Sequence, residues 1–402
     1  MRAWRTKAVL ILTLWLIGGG ARTGVTADWS VVPSLDLRTE FNSNINFSYE
    51  KLSDYIFRIR PGLDFAYATE TSQLQALFHP TGWAYVSHRN LDTIDQNYQI
   101  SGRYQVMPRL NLLLNASYIV DSSLSQELTT SGLFIGRQPR ESIALSPGFG
   151  FALTERLLFN AGYSFNQVSY TDPDLRNYTT QGANGGLNYL LSNEKTTLLT
   201  TLSLRDTRYP GGDYTRSLGT YGGFNHKFSE TWDVNLMGGV NFSELSFKTA
   251  VFDSSTFPFF SQVRQQRQVS HSVQPYVDVS TRMRWTRASI VGGYNRDQSA
   301  SAYGGLYETN RVYLNLSYDF TEKLRGTCNG FLSFSQNSSE HSDVGQTYFS
   351  INPQLNYKIT EKLTLSPGYS YGLREDQGVK RTTDQHVVWL SLNYSYPLHS
   401  QY

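Results

Sequence analysis

From Arg311 to Phe320 the chain alternates without a break. Val312, Leu314, Leu316, Tyr318 and Phe320 share one parity, while Arg311, Tyr313, Asn315, Ser317 and Asp319 share the other. A period of two is the repeat of a β-strand with one apolar and one polar face. The pattern recurs in Leu110, Leu112, Leu114, Ala116, Tyr118 and Val120, and again in Val388, Leu390, Leu392, Tyr394, Tyr396 and Leu398. The two faces cancel on averaging, so the mean hydropathy is −0.39 although each strand carries a continuous apolar side. No segment after the first 27 residues is apolar for long enough to cross a bilayer as a helix.

Short turns punctuate these strands at regular intervals. Thr154-Glu155-Arg156-Leu157, Ser229-Glu230-Thr231-Trp232, Thr321-Glu322-Lys323-Leu324 and Thr360-Glu361-Lys362-Leu363 are near copies of one tight turn, and looser versions fall near 70, 107, 192 and 285. Successive turns lie about 35 to 55 residues apart, room for two strands and a longer loop. Between them run more polar connections at 43–53, 89–95, 123–138, 171–177, 210–215, 248–268, 301–307, 338–345 and 376–384. Eight turns and nine loops predict an all-β chain: a transmembrane antiparallel up-and-down β-barrel of about eighteen strands, sixteen to eighteen being compatible. Its short turns would be periplasmic and its longer loops extracellular. A propeller would need four shorter strands per repeat, and a soluble sandwich would have less uniform turns.

The N-terminal 27 residues read as a secretory signal. Arg2, Arg5 and Lys7 precede the apolar run 8–17, and Val25-Thr26-Ala27 precedes Asp28, so cleavage is expected between Ala27 and Asp28, leaving a barrel over 28–402. Removing Arg2, Arg5, Lys7 and Arg22 from the 35 basic residues leaves 31 against 33 acids, which turns +2 into −2. Nothing in that balance points to a nucleic-acid partner. The single cysteine, Cys328, excludes a disulfide framework and any zinc site with two thiolates.

By parity, Arg58, Arg60, Asp64, Arg103, Arg205, Asp278, Arg282, Arg284, Arg311, Asp319 and Arg325 fall on polar strand faces and are the pore-lining candidates, with Tyr313, Asn115 and Gln354 among their uncharged neighbours. The charges either pair across strands or leave a positive field favouring anions. Sugars are also met by such aromatic and amide groups. Phe252, Phe257, Phe259 and Phe260 mark the loop 248–268 as a constriction expected to fold into or over the mouth. Trp83, Trp232, Trp285 and Trp389 suit interfacial girdles. Pro61, Pro147, Pro275 and Pro353 recur on descending strands, where tolerated bulges are expected. The chain ends on Tyr394, Tyr396, Leu398 and Tyr402, similar to the C-terminal aromatic signal by which such barrels are assembled.

No catalytic, cofactor-binding or metal residues are assigned. The seven histidines are scattered without HExxH spacing, and no nucleophile elbow occurs. A chain of this kind is expected in the outer membrane of a Gram-negative bacterium, in contact with lipid and lipopolysaccharide, assembled by the barrel-assembly machinery, with a monomer favoured.

Asp28-Trp29-Ser30-Val31-Val32-Pro33-Ser34-Leu35-Asp36-Leu37, followed by Glu40-Phe41-Asn42-Ser43-Asn44-Ile45 and by Pro61-Gly62-Leu63, resembles the porin-like outer-membrane β-barrel family associated with exopolysaccharide and exosortase export systems. Asn44 stands where that pattern carries an aspartate, or the register differs by one. The resemblance implies a passive conduit in polysaccharide export, partnered by a periplasmic polysaccharide-export protein, with no catalytic residues to carry over. A general diffusion porin for small solutes and a closed-lumen structural or receptor barrel remain open beside it.

Overall fold

The computed structural model describes residues 27–122, 137–253, 262–337, 345–378 and 380–400. Twenty strand segments follow one another. The first ten are β1 (Asp28–Asn42), β2 (Asp54–Ala68), β3 (Ser72–Phe78), β4 (Thr81–Tyr85), β5 (Thr93–Met107), β6 (Leu110–Asp121), β7 (Arg140–Ala152), β8 (Leu157–Tyr170), β9 (Tyr178–Leu190) and β10 (Thr196–Arg208). The rest are β11 (Tyr214–Lys227), β12 (Trp232–Asp253), β13 (Gln262–Arg284), β14 (Ala288–Ala300), β15 (Leu306–Asp319), β16 (Leu324–Asn337), β17 (Gly345–Lys358), β18 (Leu363–Asp376), β19 (Arg381–Ser395) and β20 (Leu398–Ser400).

Each segment pairs antiparallel with its neighbours, and the last meets the first. β19 lies on β1 from Ser34↔Ser395 to Asn42↔Val387, and β20 continues the same register at Val31↔Leu398. β3 and β4 likewise share one register on β2, Leu63↔Phe78 and Ile59↔Gly82, across a break at His79-Pro80. Among the described residues the twenty segments therefore make eighteen staves of a closed barrel. Closure joins the first stave to the last, the condition for a sheet to sit in lipid.

The tight turns share one hydrogen-bonding scheme, which explains the repetition in the sequence. Thr154, Thr321 and Thr360 each donate their backbone N–H to the carbonyl three residues on, all at 3.2 Å. Each threonine Oγ1 then accepts from that same residue's N–H, at 3.0, 3.0 and 3.1 Å. Thr69 and Asn193 do the same with Ser72 and Thr196, both at 2.9 Å. A short acceptor side chain at the first position takes the donor that the turn would otherwise leave unpaired.

Alternation sorts the faces. Phe57, Ile59, Ile94, Leu202, Leu204, Val273, Val312, Leu314 and Val388 point outward and are exposed, a continuous apolar surface that only lipid can cover. At the turn end, Trp232 stacks on Phe228 with centroids 4.3 Å apart, Tyr318 meets Phe320 at 4.9 Å, and Lys362 Nζ lies 3.8 Å over the Tyr396 ring. This is an interfacial aromatic girdle, and Trp232 and the exposed Trp285 belong to it. Trp83 and Trp389 do not: both point inward. Trp389 has the parity opposite to Val388, Leu390 and Leu392, which places it with Ser391 and Asn393 on the inner face, and Trp83 follows the strand break.

The four repeated prolines sit in β2, β7, β13 and β17 on outward positions, but none makes a bulge. Pairing skips Ser146 and Pro147 between Leu145↔Phe165 and Gly148↔Gly162, and the register is the same on both sides. A proline removes one N–H from one ladder and leaves the other intact, so a rung is lost without a residue being inserted. Pro275 marks a different event. β13 pairs with β14 only from Val277 downward, while β12 and β13 run on together to Asp253↔Gln262 as a long hairpin above the rim.

Candidate functional site

The inner face is polar, charged and largely paired. Arg38 Nη2 lies 2.5 Å from Glu40 Oε2, and Arg58 pairs with Asp36 across the β1–β2 ladder. Each guanidinium also covers an aromatic ring: Arg38 lies 4.3 Å over Trp389 and Arg58 5.6 Å over Trp83. Trp83 Nε1 donates to Asp95 Oδ2 at 2.7 Å. Farther round, Arg140 Nε lies 3.4 Å from Asp121 Oδ1 and Arg374 Nη2 lies 3.2 Å from Asp376 Oδ2. Charges held against a wall in this way are neutralised in pairs, and the cation–π contacts hold the rings down beside them.

Among the eleven pore-lining candidates, all on the inner face, Arg58 is paired with Asp36. Asp64 Oδ1 lies 2.6 Å from His79 Nε2, and Arg325 grips Asp319 with two hydrogen bonds of 2.6 and 3.0 Å. Arg103 donates twice to Asn111 Oδ1, at 3.2 and 3.1 Å, and Asp278 accepts from Asn235 at 3.4 Å and from Asn295 at 3.2 Å. Arg311 lies 5.5 Å over the Phe331 ring. Arg205 Nη1 reaches the Gln298 carbonyl at 3.3 Å, four staves away, which only an inward side chain can do. Among the described residues no carboxylate pairs with Arg60, Arg282 or Arg284. Arg38, between the inward Asp36 and Glu40, is a further inward cation that period two alone places on this face.

The loop end of the lumen is filled rather than open. Loop 43–53 folds inward: Ile45 packs with the inward Ile56 and Tyr85 in one apolar cluster joined by Leu52, Trp83 and Leu91. Phe47, 1 % exposed, meets Tyr348 of β17 with centroids 5.7 Å apart. A second cluster joins Val168, Tyr170, Leu175, Tyr178 and Tyr209 to Ala300 and Ala302. The last two arrive because the β14–β15 tip, released from β13 above Val277, leans into the barrel. Ser243 Oγ donates to Gln298 Oε1 at 2.7 Å, Tyr209 Oη to the Ser301 carbonyl at 3.0 Å, and the Arg176 N–H to the Ala302 carbonyl at 2.7 Å. Gly304 and Gly305, at φ +81° and +95°, close the loop in a conformation that side-chain-bearing residues rarely adopt.

The strands narrow the bounds of the expected loop at 248–268. Lys248 to Asp253 and Gln262 to Gln268 are strand, with Phe252 opposite Val263 in the ladder, while Phe257, Phe259 and Phe260 lie outside the described residues. The element seen crossing the mouth is loop 301–305, in which Tyr303 is a single aromatic among small residues. Ala302 is wholly buried because a small residue lets two walls meet.

Of the C-terminal residues, Tyr394, Tyr396 and Leu398 are exposed on the outer face, and Tyr402 lies outside the described residues. The expected leader occupies residues of which 1–26 also lie outside them, and β1 starts at Asp28. Among the described residues no group of three or more His, Cys, Asp or Glu could hold a metal.

No protein-family model and no curated protein matches the chain. Solved structures that resemble it include OccAB3 of Acinetobacter baumannii, 12 % identical with a TM-score of 0.45, over 92 % of this chain and 99 % of that one. OccK2 (OpdF) of Pseudomonas aeruginosa is 12 % identical with a TM-score of 0.45, over 94 % and 98 %. The ferric-catecholate import receptor Fiu of E. coli K12 is 10 % identical with a TM-score of 0.46, over 90 % and 81 %. These three fall short of a TM-score of 0.5, and the architecture rests on the strand ladder itself. The described residues form a closed eighteen-stave β-barrel with an apolar outer surface, the architecture of an outer-membrane barrel.

Proposed function

We propose that the barrel is a passive channel for hydrophilic solutes, narrowed at its extracellular mouth by inward-folded loops. The observation that carries this reading is the contrast along the inner wall. Tyr178, Tyr209 and Ala302 are buried at the loop end against Val168 and Tyr170 of β8, Leu175 and Ala300, whereas the wall below is polar and only part-covered. A polar, half-solvated inner wall is what a water-filled path requires, and a filled mouth restricts what enters it. Purified barrel added to planar bilayers in KCl should give discrete conductance steps. A preparation that is folded by heat-modifiable gel mobility yet gives no steps above background would favour a closed structural or receptor barrel instead.

Export of a polysaccharide is the second reading. The aromatic residues on the inner wall favour it, together with the Trp29–Ile45 pattern at the start of β1. Deleting the gene and measuring secreted polysaccharide separates the two: unchanged secretion rules out export and leaves the diffusion channel.

A further inference from the structure

Between β11 and β15 the inner wall carries glycines, and tyrosine rings lie over them. A Cβ on Gly219 would collide with Tyr221 Oη, and one on Gly239 would stand 2.8 Å from Tyr221 Cδ1, so this ring is spread along the wall over two glycines. A Cβ on Gly293 would meet Tyr313 Oη at 2.6 Å and Cζ at 2.8 Å. Tyr276, opposite Gly239 in the ladder, packs on Tyr221 with centroids 4.4 Å apart. All three rings are half-buried. The wall covers one side of the group, and the other side faces the lumen.

Hydrogen-bonding groups border these rings. Tyr221 Oη donates to Asn241 Oδ1 at 2.5 Å, and Asn295 Nδ2 donates to Asp278 Oδ2 at 3.2 Å. Tyr276 stands in the field of Asp278 and Asp297 and, more weakly, of Arg205. A flat aromatic surface beside an amide, a carboxylate and a guanidinium matches a saccharide ring, whose C–H face stacks on the aromatic while its hydroxyls bond at the edge.

The geometry points to a saccharide-binding surface on the inner wall at Tyr221, Tyr276 and Tyr313. Its role as a station along a path rests on the channel reading; the binding does not. Glycine at 219, 239 and 293 leaves the space the rings lie in, and at 239 and 293 the backbone carbonyls of Thr220 and Val279 also leave no room for a Cβ. The surface lies beneath the inward tip of β14–β15, so a sugar that passes the mouth meets it directly.

Isothermal titration of the detergent-solubilised full barrel with maltotriose, cellotriose and chitotriose in turn should give saturable heat with at least one. Tyr276→Ala should weaken that binding by about tenfold, and Tyr276→Phe should keep it. Heat-modifiable gel mobility shows whether each variant retains the barrel, and if Tyr276→Ala does not, Tyr313→Ala is titrated in its place and held to the same standard. No saturable heat from any of the three sugars overturns the inference, as does unchanged binding in the alanine variant. KCl conductance of the same preparations is scored separately. A barrel that conducts without binding sugar leaves the channel reading standing, and one that binds sugar without conducting sinks the channel reading alone.

Discussion

The side-chain amide of Asn44 donates to Thr383 Oγ1 at 3.1 Å, tying the residue that leaves the first strand to one in the last. The same Nδ2 reaches the Ser48 carbonyl at 2.8 Å and the Asp384 carbonyl at 3.2 Å, while Oδ1 accepts from the Ser48 N–H at 3.1 Å. Asn44 is fully buried, so every one of these bonds replaces water that cannot reach it. It locks loop 43–53 inside the mouth at the seam where the barrel closes.

Asn44→Asp removes the donors and sets a carboxylate against two carbonyls. The expected loss is about 1–3 kcal/mol, because buried acceptors are left facing one another. Thr383→Val, which deletes one partner and keeps the shape, should cost less. Temperature-dependent gel mobility of the folded barrel ranks the two; equal melting of Asn44→Asp and the parent would contradict the seam's role.

Loop 301–305 should govern conductance. Tyr209→Ala removes both the Ser301 carbonyl's donor and a ring from the cluster around Ala302. Freed of these, the β14–β15 tip should sample positions away from the mouth, and single-channel current should rise and become noisier. Current indistinguishable from the parent would mean that the tip does not limit flow.

Gly368→Ala tests the wall beneath Arg38. A Cβ there would collide with Trp389 Cζ2, so the indole must move and Arg38 must lose the ring it covers. The expected cost is about 1–3 kcal/mol of barrel stability, read as a lower temperature for the gel-mobility transition. Trp389→Leu in the same chain should recover part of it, since the smaller side chain leaves room for the methyl group.

Neighbouring residues on one strand should respond oppositely to the same change. Leu314 faces outward and is 46 % exposed, whereas Asn315 faces inward. Leu314→Arg places a charge in lipid and should cost about 2–4 kcal/mol near the bilayer midplane. Asn315→Arg should leave stability nearly unchanged and move the reversal potential in a KCl gradient toward anion preference. Similar destabilisation by both would contradict the assignment of faces.

Arg282→Ser with Arg284→Ser removes two inward cations that have no carboxylate partner among the described residues. Paired charges such as Arg325 and Asp319 cancel in the far field, so the unpaired ones should dominate selectivity. The double variant should lose anion preference at low salt, and Arg325→Ser with Asp319→Ser should not. The reverse ranking would assign the field to the pairs.

Strands, turns and faces are legible along the chain because each depends on neighbours a few residues away. The alternation that runs from Arg311 to Phe320 also holds at Trp389, whose parity is opposite to that of Val388 and Leu390, so its inward position follows from parity although its residue type suits a girdle. The prolines fall on descending strands as expected, but the absence of bulges follows from ladders to both neighbours, which no single strand reveals. The inward place of Arg38 is readable from its parity with Asp36 and Glu40.

The site is less legible than the wall that holds it. Phe47 and Ile45 are apolar residues in a polar loop, a signal of inward folding that the longer aromatic loop at 248–268 overshadows. Ala302, Gly304 and Gly305 carry no signal of chemistry at all. Their burial arises because β13 parts from β14 at Val277 and lets a neighbouring hairpin lean across the lumen, a consequence of how far two hairpins extend relative to each other.

Period-two alternation and the repeated threonine turns determined a barrel of about eighteen strands with one face for lipid and one for its interior, since a strand's faces are set by parity and a turn by its own few residues. Which inward charges pair, which rings lie over glycines and which loop crosses the mouth were decided only by closure. Closure brings Asn44 to Thr383 and Tyr209 to Ser301, and separations of 339 and 92 residues leave no trace in local sequence.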